Sequence, residues 1–322
     1  MDEKKSSEAP ALPLSVAVSD ILRTDSRVTV RHCGKHDDPK RLGEIMYEAF
    51  KCIDETHGFA SDVAAHEGEP IMLSCINGLG TSDIGFVAEV DGKVVGSAWA
   101  NYNDGSALVG PICVDPSYQG RGVGRMLVSA LMNSEPVARH VSVRLTQEAH
   151  NVVSFSLYSS FGFVQRDLLL KLTGVMRSNS TTTHSDEMEV RELRSEDITH
   201  CNELHKACIG MSRLHNLTVA ASSKTGHIIV DRKTNVICGY STGATPEGHS
   251  VASSESVMRF LLLASYAGSE VILYCPQKLF PGLFEKLLRE CGLKIDRMIT
   301  LMAKGIYTDP IQPSVYLPSV IG

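Results

Sequence analysis

The stretch VDPSYQGRGVGRML, Val114 to Leu127, places three glycines and two arginines at the entry of a predicted helix, directly after a strand that Asp115-Pro116 should end. A helix start leaves its first amide N–H groups without partners and carries partial positive charge, so it attracts anions. Glycines there let the backbone curl into a concave nest and approach phosphate oxygens without a Cβ in the way. Arg121 and Arg125 add charge beside it. A solvated glycine-rich turn is the plain alternative, but a strand before the loop and an apolar helical stripe after it (Val123, Met126, Leu127, Ala130, Leu131) favour a phosphate or pyrophosphate site. Two familiar phosphate loops are excluded. Gly124 comes one residue early for Gly-x-Gly-x-x-Gly, and no Gly-Lys-Ser/Thr follows.

The anion site must be local, because the chain of 322 residues is acidic, with a formal net charge of -6. That balance argues against a whole-protein nucleic-acid or membrane surface as partner. Nine cysteines form no CxxC pair and are odd in number, which reads as reduced thiols and a cytoplasmic location. No zinc spacing and no Ser-His-Asp order stands out, so no metal is expected.

Residues 1–26 read as a flexible extension whose apolar run is too short to span a bilayer. RVTVRHC alternates as a strand, and residues 39–58 carry Leu42, Ile45, Met46, Ala49, Phe50 and Ile53 at helical spacing. IMLSCINGLG suggests a second short helix, and Asp91-Gly92 marks a hairpin between IGFVAEV and KVVGSAWANY. SALVGPICVD is the next strand, and after the glycine loop come HVSVRLTQ as strand, NVVSFSLYSSFGF as helix and FVQRDLLLKLTG as strand. This order predicts an α/β fold, a mixed sheet with helices on its faces. GVMRSNSTTTHSDEME is polar and rich in Ser and Thr, and it divides the chain into residues 27–174 and 188–322, with 175–187 as linker. The second part repeats the tail of the first: LLRECGLKIDRMITLMAKG aligns with LYSSFGFVQRDLLLKLTG when Gly292 is laid on Gly162, a shift of 130 (292 − 162). MEVRELRSEDITHCNELHKAC likewise opens as VTVRHCGKHDDPKRLGEIMYEAF does.

Gln119, Gly122 and Gly124 after a strand ending ICVDP, followed by NVVSFSLYSSFGF, resemble the acyl-CoA loop and following helix of the GNAT acyltransferases. The likeness runs from about Val28 to Gly174, and the whole resembles bacterial tandem-GNAT proteins. It implies two tandem GNAT domains and acetyl-CoA as cosubstrate. It also implies that Gln119, Gly120, Arg121, Gly122, Val123, Gly124 and Arg125 bind the pyrophosphate, while Ile112, Cys113 and Val114 run beside the pantetheine arm. The Val114 amide would polarise the thioester carbonyl. Asn151, Ser154 and Tyr158 fall on one helical face; by the resemblance Asn151 and Tyr158 contact the pantetheine, and Tyr158 protonates the departing sulfur. Tyr158 as a core residue and Asn151 as a helix cap are the plain alternatives.

Glu148, His150 and Asp115 are candidates for general base, each with an ordinary local role open to it. Tyr47, Phe50, His57, Trp99 and Tyr102 are candidate acceptor contacts, although aromatics at such spacing are commonly core. Under the 130-residue shift Tyr158 falls on Leu288 and Asn151 on Pro281, and Ser254-Glu255 replace the glycine loop, so the second domain is expected to be degenerate: a lid, acceptor wall or association surface. His249 is a surface-loop residue in this reading, with reach to the acceptor site as the alternative. The expected reaction is direct acetyl transfer in a ternary complex to a small-molecule or peptide primary amine. A protein lysine or N-terminus as acceptor, and non-catalytic acetyl-CoA binding, are the rivals. A homodimer is compatible with the sequence and not required by it.

Overall fold

The computed structural model describes residues 26–102, 105–177 and 187–320. The expected N-terminal extension lies almost wholly outside them, as do residues 178–186 of the expected linker.

The described strands form one sheet of eight and one of five. In the first half β1 (Val28–His32), β2 (Asp83–Val90), β3 (Lys93–Asn101) and β4 (Ala107–Val114) form an antiparallel meander. Asp91 and Gly92 take positive φ at the β2–β3 hairpin, as the dipeptide predicted. Helix α1 (Pro39–Thr56) starts where Asp38 accepts from the Lys40 amide and Pro39 enters the first turn. Its apolar stripe packs with α2 (Gly68–Gly78) over Val87, Trp99 and Cys113 on one face of the meander. Helix α3 (Val123–Asn133) buries Val123, Leu127, Val128 and Leu131 against Ala88, Val90 and Ala98 on the other face. A short α4 (Glu135–Ala138) leads to β5 (Ser142–Glu148), then α5 (Val152–Ser160) and β6 (Val164–Val175).

The second half follows the same plan: β7 (Met188–Glu192), α6 (Ile198–Ile209), α7 (Leu214–Ser222), β8 (His227–Asp231), β9 (Val236–Ser241), β10 (Ser250–Ala252), α8 (Glu255–Tyr266), β11 (Glu270–Cys275), α9 (Pro281–Arg289) and β12 (Lys294–Gly305). Its first strand repeats a detail of the first half. Arg31 grips Asp37 with two bonds of 2.8 and 2.7 Å, and Arg191 grips Asp197 with two of 2.7 and 2.8 Å. Gly162 and Gly292, the residues aligned in sequence, both take left-handed φ, at 87° and 73°.

The halves exchange their last strands. β12 pairs with β5 of the first half, β6 pairs with β11 of the second, and β6 and β12 pair with each other at the centre. Leu169 lies opposite Ile299 in that central pair, a separation of 130 residues (299 − 169), so the repeat's own offset marks a pseudo-dyad between the two strands. The strand β6 therefore runs into the stretch read as linker. Val175 closes it, and Met176 is buried among Leu263, Val271 and Leu293 of the second half's core.

Strand β13 (Val315–Leu317) has no counterpart among the described residues of the first half and pairs antiparallel with β10 on the edge away from β9. The equivalent edge of β4 is left open, which distinguishes the two halves at the point where a ligand could add as a strand.

Candidate active site

Strands β4 and β5 are parallel and pair only through Ala107 with Val143 and Leu108 with Arg144. Beyond that point they part, and a wedge opens towards Val114 on one side and Glu148 on the other. The Asp115 N–H donates to Val95 O on β3 at 2.9 Å. Strand alternation therefore turns the N–H and C=O of Val114 to the wedge side. The Gln119 side-chain amide donates to that Val114 carbonyl at 3.0 Å, so Gln119 braces the loop against the strand end.

The loop then bends through Gly120 (φ 74°) and Gly122 (φ 83°), conformations that a Cβ would strain. Gly122 is the N-cap of α3 and no side chain caps the helix. Among the described residues, none of the N–H groups from Gly120 to Arg125 donates to a protein acceptor. Gly124 has an ordinary helical environment, where an added Cβ would lie 3.5 Å from Leu157 and 3.8 Å from Val114. Two of the three glycines are thus needed for the bend and the third is not. Arg121 and Lys93 flank the Tyr118 ring at 5.3 and 5.7 Å, and Arg125 reaches Ser160 Oγ at 3.3 Å. Together these form a row of unpartnered amides flanked by three cations, which suits a diphosphate.

Asn151 caps α5, its Oδ1 accepting from the Ser154 amide at 3.0 Å. Tyr158 is buried one helical face along, edge-on to Phe163, and burial together with the nearby Cys113 thiol pushes its pKa above the ordinary phenol value. It packs the core and stays protonated. Cys113 is fully buried, and that burial raises its thiol to about 12. A thiol so placed is a poor nucleophile.

At the C-terminal end of β5 the structure gathers a cluster that the sequence indicated only in part. His150 Nε2 lies 3.2 Å from Asp54 Oδ1, its ring stacks on Phe59 at 4.7 Å, and His57 sits 5.0 Å away. Asp54 favours imidazolium, but burial is the larger effect, and with His57 and Arg297 nearby it lowers the His150 pKa. A neutral ring satisfies Asp54 through Nε2–H and leaves Nδ1 as an acceptor. Nδ1 stands 3.8 Å from Glu148 Oε2, a buried oxygen without a partner. Burial, aided by Asp62 and opposed by Arg297, raises the Glu148 carboxyl to about 8. The imidazole nitrogen, kept neutral by burial, thus faces a carboxyl that holds its proton up to about pH 8, and the pair forms an acid–base couple at the end of β5.

Asp115, the third candidate base, is otherwise engaged: Arg41 lies 2.8 Å from it and the Ser117 amide 3.0 Å. Against the upward push of burial, these contacts hold its pKa below the usual carboxylate range. Among the aromatic acceptor candidates, His57 joins the cluster, whereas Trp99 and Phe50 belong to the α1–α2 core. Tyr47 lies under Lys51 and Tyr102 under Arg139. His249 is neither exposed nor near the cluster, being buried in the second half between Tyr240 Oη at 3.0 Å and Thr242 Oγ1 at 3.2 Å.

Sequence reading missed Asp54 and Arg297. Asp54 follows Phe50 by four residues on the buried stripe of α1, and Arg297 shares the inward side of β12 with Ile299 and Leu301. A charge on an apolar stripe is the signal that could have found both. Asp54, Glu148 and His150 bring ligand atoms within 4.8 Å of one another, but Arg297 already lies 3.2 Å from Asp54 and 3.5 Å from Glu148. The cluster is an ion-pair network centred on that guanidinium.

Residues 81–165 match the acetyltransferase (GNAT) domain model. Over 149 residues the chain is 28% identical to a mycothiol acetyltransferase of Tsukamurella paurometabola, covering 44% of this chain. The chain spans about half the length of that relative, 49%. In fold it is similar to a GNAT N-acetyltransferase from Sphaerobacter thermophilus (TM-score 0.59, 15% identity, 89% of this chain and 98% of the other). It is also similar to a tandem GNAT protein from the clavulanic acid biosynthesis pathway (TM-score 0.53, 12% identity, 86% and 98%). With its open β4 edge, its glycine-bent helix start and its repeated plan, the chain carries an acetyltransferase (GNAT) domain match at residues 81–165 and shares the fold of a tandem GNAT protein.

Proposed function

We propose that the protein is an N-acetyltransferase whose first half transfers acetyl from acetyl-CoA to a primary amine by direct attack within a ternary complex. The observation that carries this reading is the wedge between β4 and β5 with six unpartnered amides, Gly120 to Arg125, at its rim. Acetyl-CoA supplies the activated thioester, and this chain's own groups hold it. The Gly120–Arg125 amides and Arg121 bind the diphosphate, the β4 edge at Ile112 and Val114 takes the pantetheine as an added strand with Cys113 turned inward between them, and Asn151 and Ser154 line the other side. The Val114 N–H faces the thioester oxygen. His150 Nδ1, joined by Glu148 once that carboxyl ionises near pH 8, takes up the proton that the amine sheds, and Tyr158 Oη gives a proton to the departing sulfur. The buried, high-pKa Cys113 supports direct transfer over an acyl-enzyme.

The second half, lacking the glycine loop and with β13 on the edge where a cofactor would add, is a non-catalytic partner in this reading. Two rivals remain in the test: a protein lysine or N-terminus as acceptor, and acetyl-CoA binding without turnover. Thiol release from acetyl-CoA is to be screened against polyamines, amino acids, aminoglycosides, mycothiol-pathway amines and peptides. Turnover with one class that Gly122→Glu abolishes supports the proposal. Binding with no turnover on any amine favours the non-catalytic rival, and ping-pong kinetics lost in Cys113→Ala would overturn direct transfer.

A further inference from the structure

The cation at the centre of the acceptor cluster comes from the other half of the molecule. Arg297 stands on β12, the strand exchanged into the first half's sheet, and its side chain is 4% exposed. Two of its three nitrogens donate hydrogen bonds, and the third is buried among carboxylates at ion-pair distance without a hydrogen bond. Nε donates to Asp296 at 2.9 Å, one terminal nitrogen donates to Ala60 O at 3.0 Å, and the other lies 3.2 Å from Asp54 and 3.5 Å from Glu148. Phe59, the ring on which His150 stacks, lies under it at 5.5 Å. The turn from residue 59 to 62 is therefore tied down at three points, by Arg297 at Ala60, by the Asp54 carbonyl, which accepts from the Phe59 amide at 2.9 Å, and by the Asp54 side chain, which accepts from the Asp62 amide at 2.8 Å. Lys171 of β6 adds an ion pair to Asp62.

We infer that Arg297 is a positioning residue of the first half's acceptor site: the second half supplies the guanidinium that holds the Phe59–Asp62 turn and the Asp54–His150–Glu148 cluster in working order. This rests on the function proposed above only for what the cluster does; the architectural claim stands on the contacts. Without the cation, four carboxyl groups (Asp54, Asp62, Glu148, Asp296) gather with Lys171 as their counter-charge, so His150 and Glu148 hold protons more tightly. The groups facing His150 are Asp54 from α1, His57 at the C-cap of α1, Glu148 from β5 and Arg297 from β12, while Asp62 from the turn, Lys171 from β6 and Tyr274 from β11 surround Glu148, and Asp296 from β12 pairs with Arg297 and Lys171. The cluster and turn cannot be complete without both halves.

The test is the ring titration of His150 by NMR in the full chain, assigned with His150→Asn, together with amide hydrogen exchange over residues 59–62 and acetyl-CoA binding by calorimetry. In the wild type His150 should titrate below 6.5. Arg297→Gln should raise that midpoint by about half a unit or more and speed exchange at the Asp62 amide about tenfold, while acetyl-CoA affinity stays within about twofold. Arg297→Lys, which keeps the charge and loses the fork, should restore the midpoint and leave the exchange fast. A wild-type His150 titrating at or above the ordinary imidazole value overturns the inference even if the variants fail to fold. So does an unmoved midpoint in a folded Arg297→Gln. Failure of every form to bind acetyl-CoA would instead remove the proposed function and leave these readouts to be judged separately.

Discussion

Glu148 is a carboxyl whose folded pKa of about 8 lies above its ordinary value of 4.5, so the folded state keeps a proton that the unfolded state releases. Stability is then unaffected by this group below pH 4.5 and falls as pH rises from there towards 8. Glu148→Gln should therefore raise Tm at pH 8.5 by about 3 °C or more and change it little at pH 4.5, which calorimetric scans at the two values would check. The same variant should lower kcat by about 100-fold if Glu148 shares the base role with His150. Tyr158→Phe should cost a similar factor in kcat while leaving the acetyl-CoA Kd unchanged; a Kd that weakens in step would assign Tyr158 to packing alone. At this level the sequence indicated Glu148, His150 and Asn151, because they sit at a strand end and a helix start whose patterns are local. It was silent on Asp54, Asp62 and Arg297, since their partners lie on other elements and Arg297 arrives through a strand exchange that no local pattern encodes.

The entry to α3 illustrates how much an element can say before its structure is seen. Two left-handed glycines, a missing cap and unpartnered amides follow from the letters Gly120-Arg-Gly122-Val once a strand is known to precede them. Gly120→Ala, forced into φ 74°, should cost about 1 kcal/mol in stability and weaken acetyl-CoA binding, whereas Gly124→Ala should be close to neutral in both. Denaturant titration and calorimetry on the pair separate conformational need from mere glycine content. The strands and helices of the first half were likewise legible, as their apolar periods and turn residues agree with the final packing. The end of β6 was not: Gly174 and Val175 lead into a polar run and read as linker, yet Val175 completes a strand and Met176 is buried, because the second half offers β11 and its core to cover them. That cover is non-local and leaves no trace in composition.

Across the whole molecule, the exchanged strands make two folds into one sheet of eight. Residues 26–177 alone would lack β12 between β5 and β6, exposing both edges and the face of Leu169. This half expressed alone should therefore be insoluble or unfolded, while co-expression with residues 187–322 should recover a complex with native acetyl-CoA affinity. Recovery of a stable, active first half alone would show that the exchange is dispensable. The repeat itself was visible in the aligned glycines and in the offset of 130, which reappears in the pairing of Leu169 with Ile299. What the offset could not tell was which half owned the last strand, nor that β13 would lie on β10 where β4 is bare. The asymmetry of the two clefts can be weighed by titrating acetyl-CoA into the folded full chain by calorimetry, wild type beside Gly122→Glu. One site per chain is expected in the wild type, with affinity reduced at least about 100-fold in the variant, roughly 2.7 kcal/mol. No heat of binding in the wild type, two equal sites, or an unweakened Gly122→Glu would each contradict a diphosphate held by the amides at the start of α3.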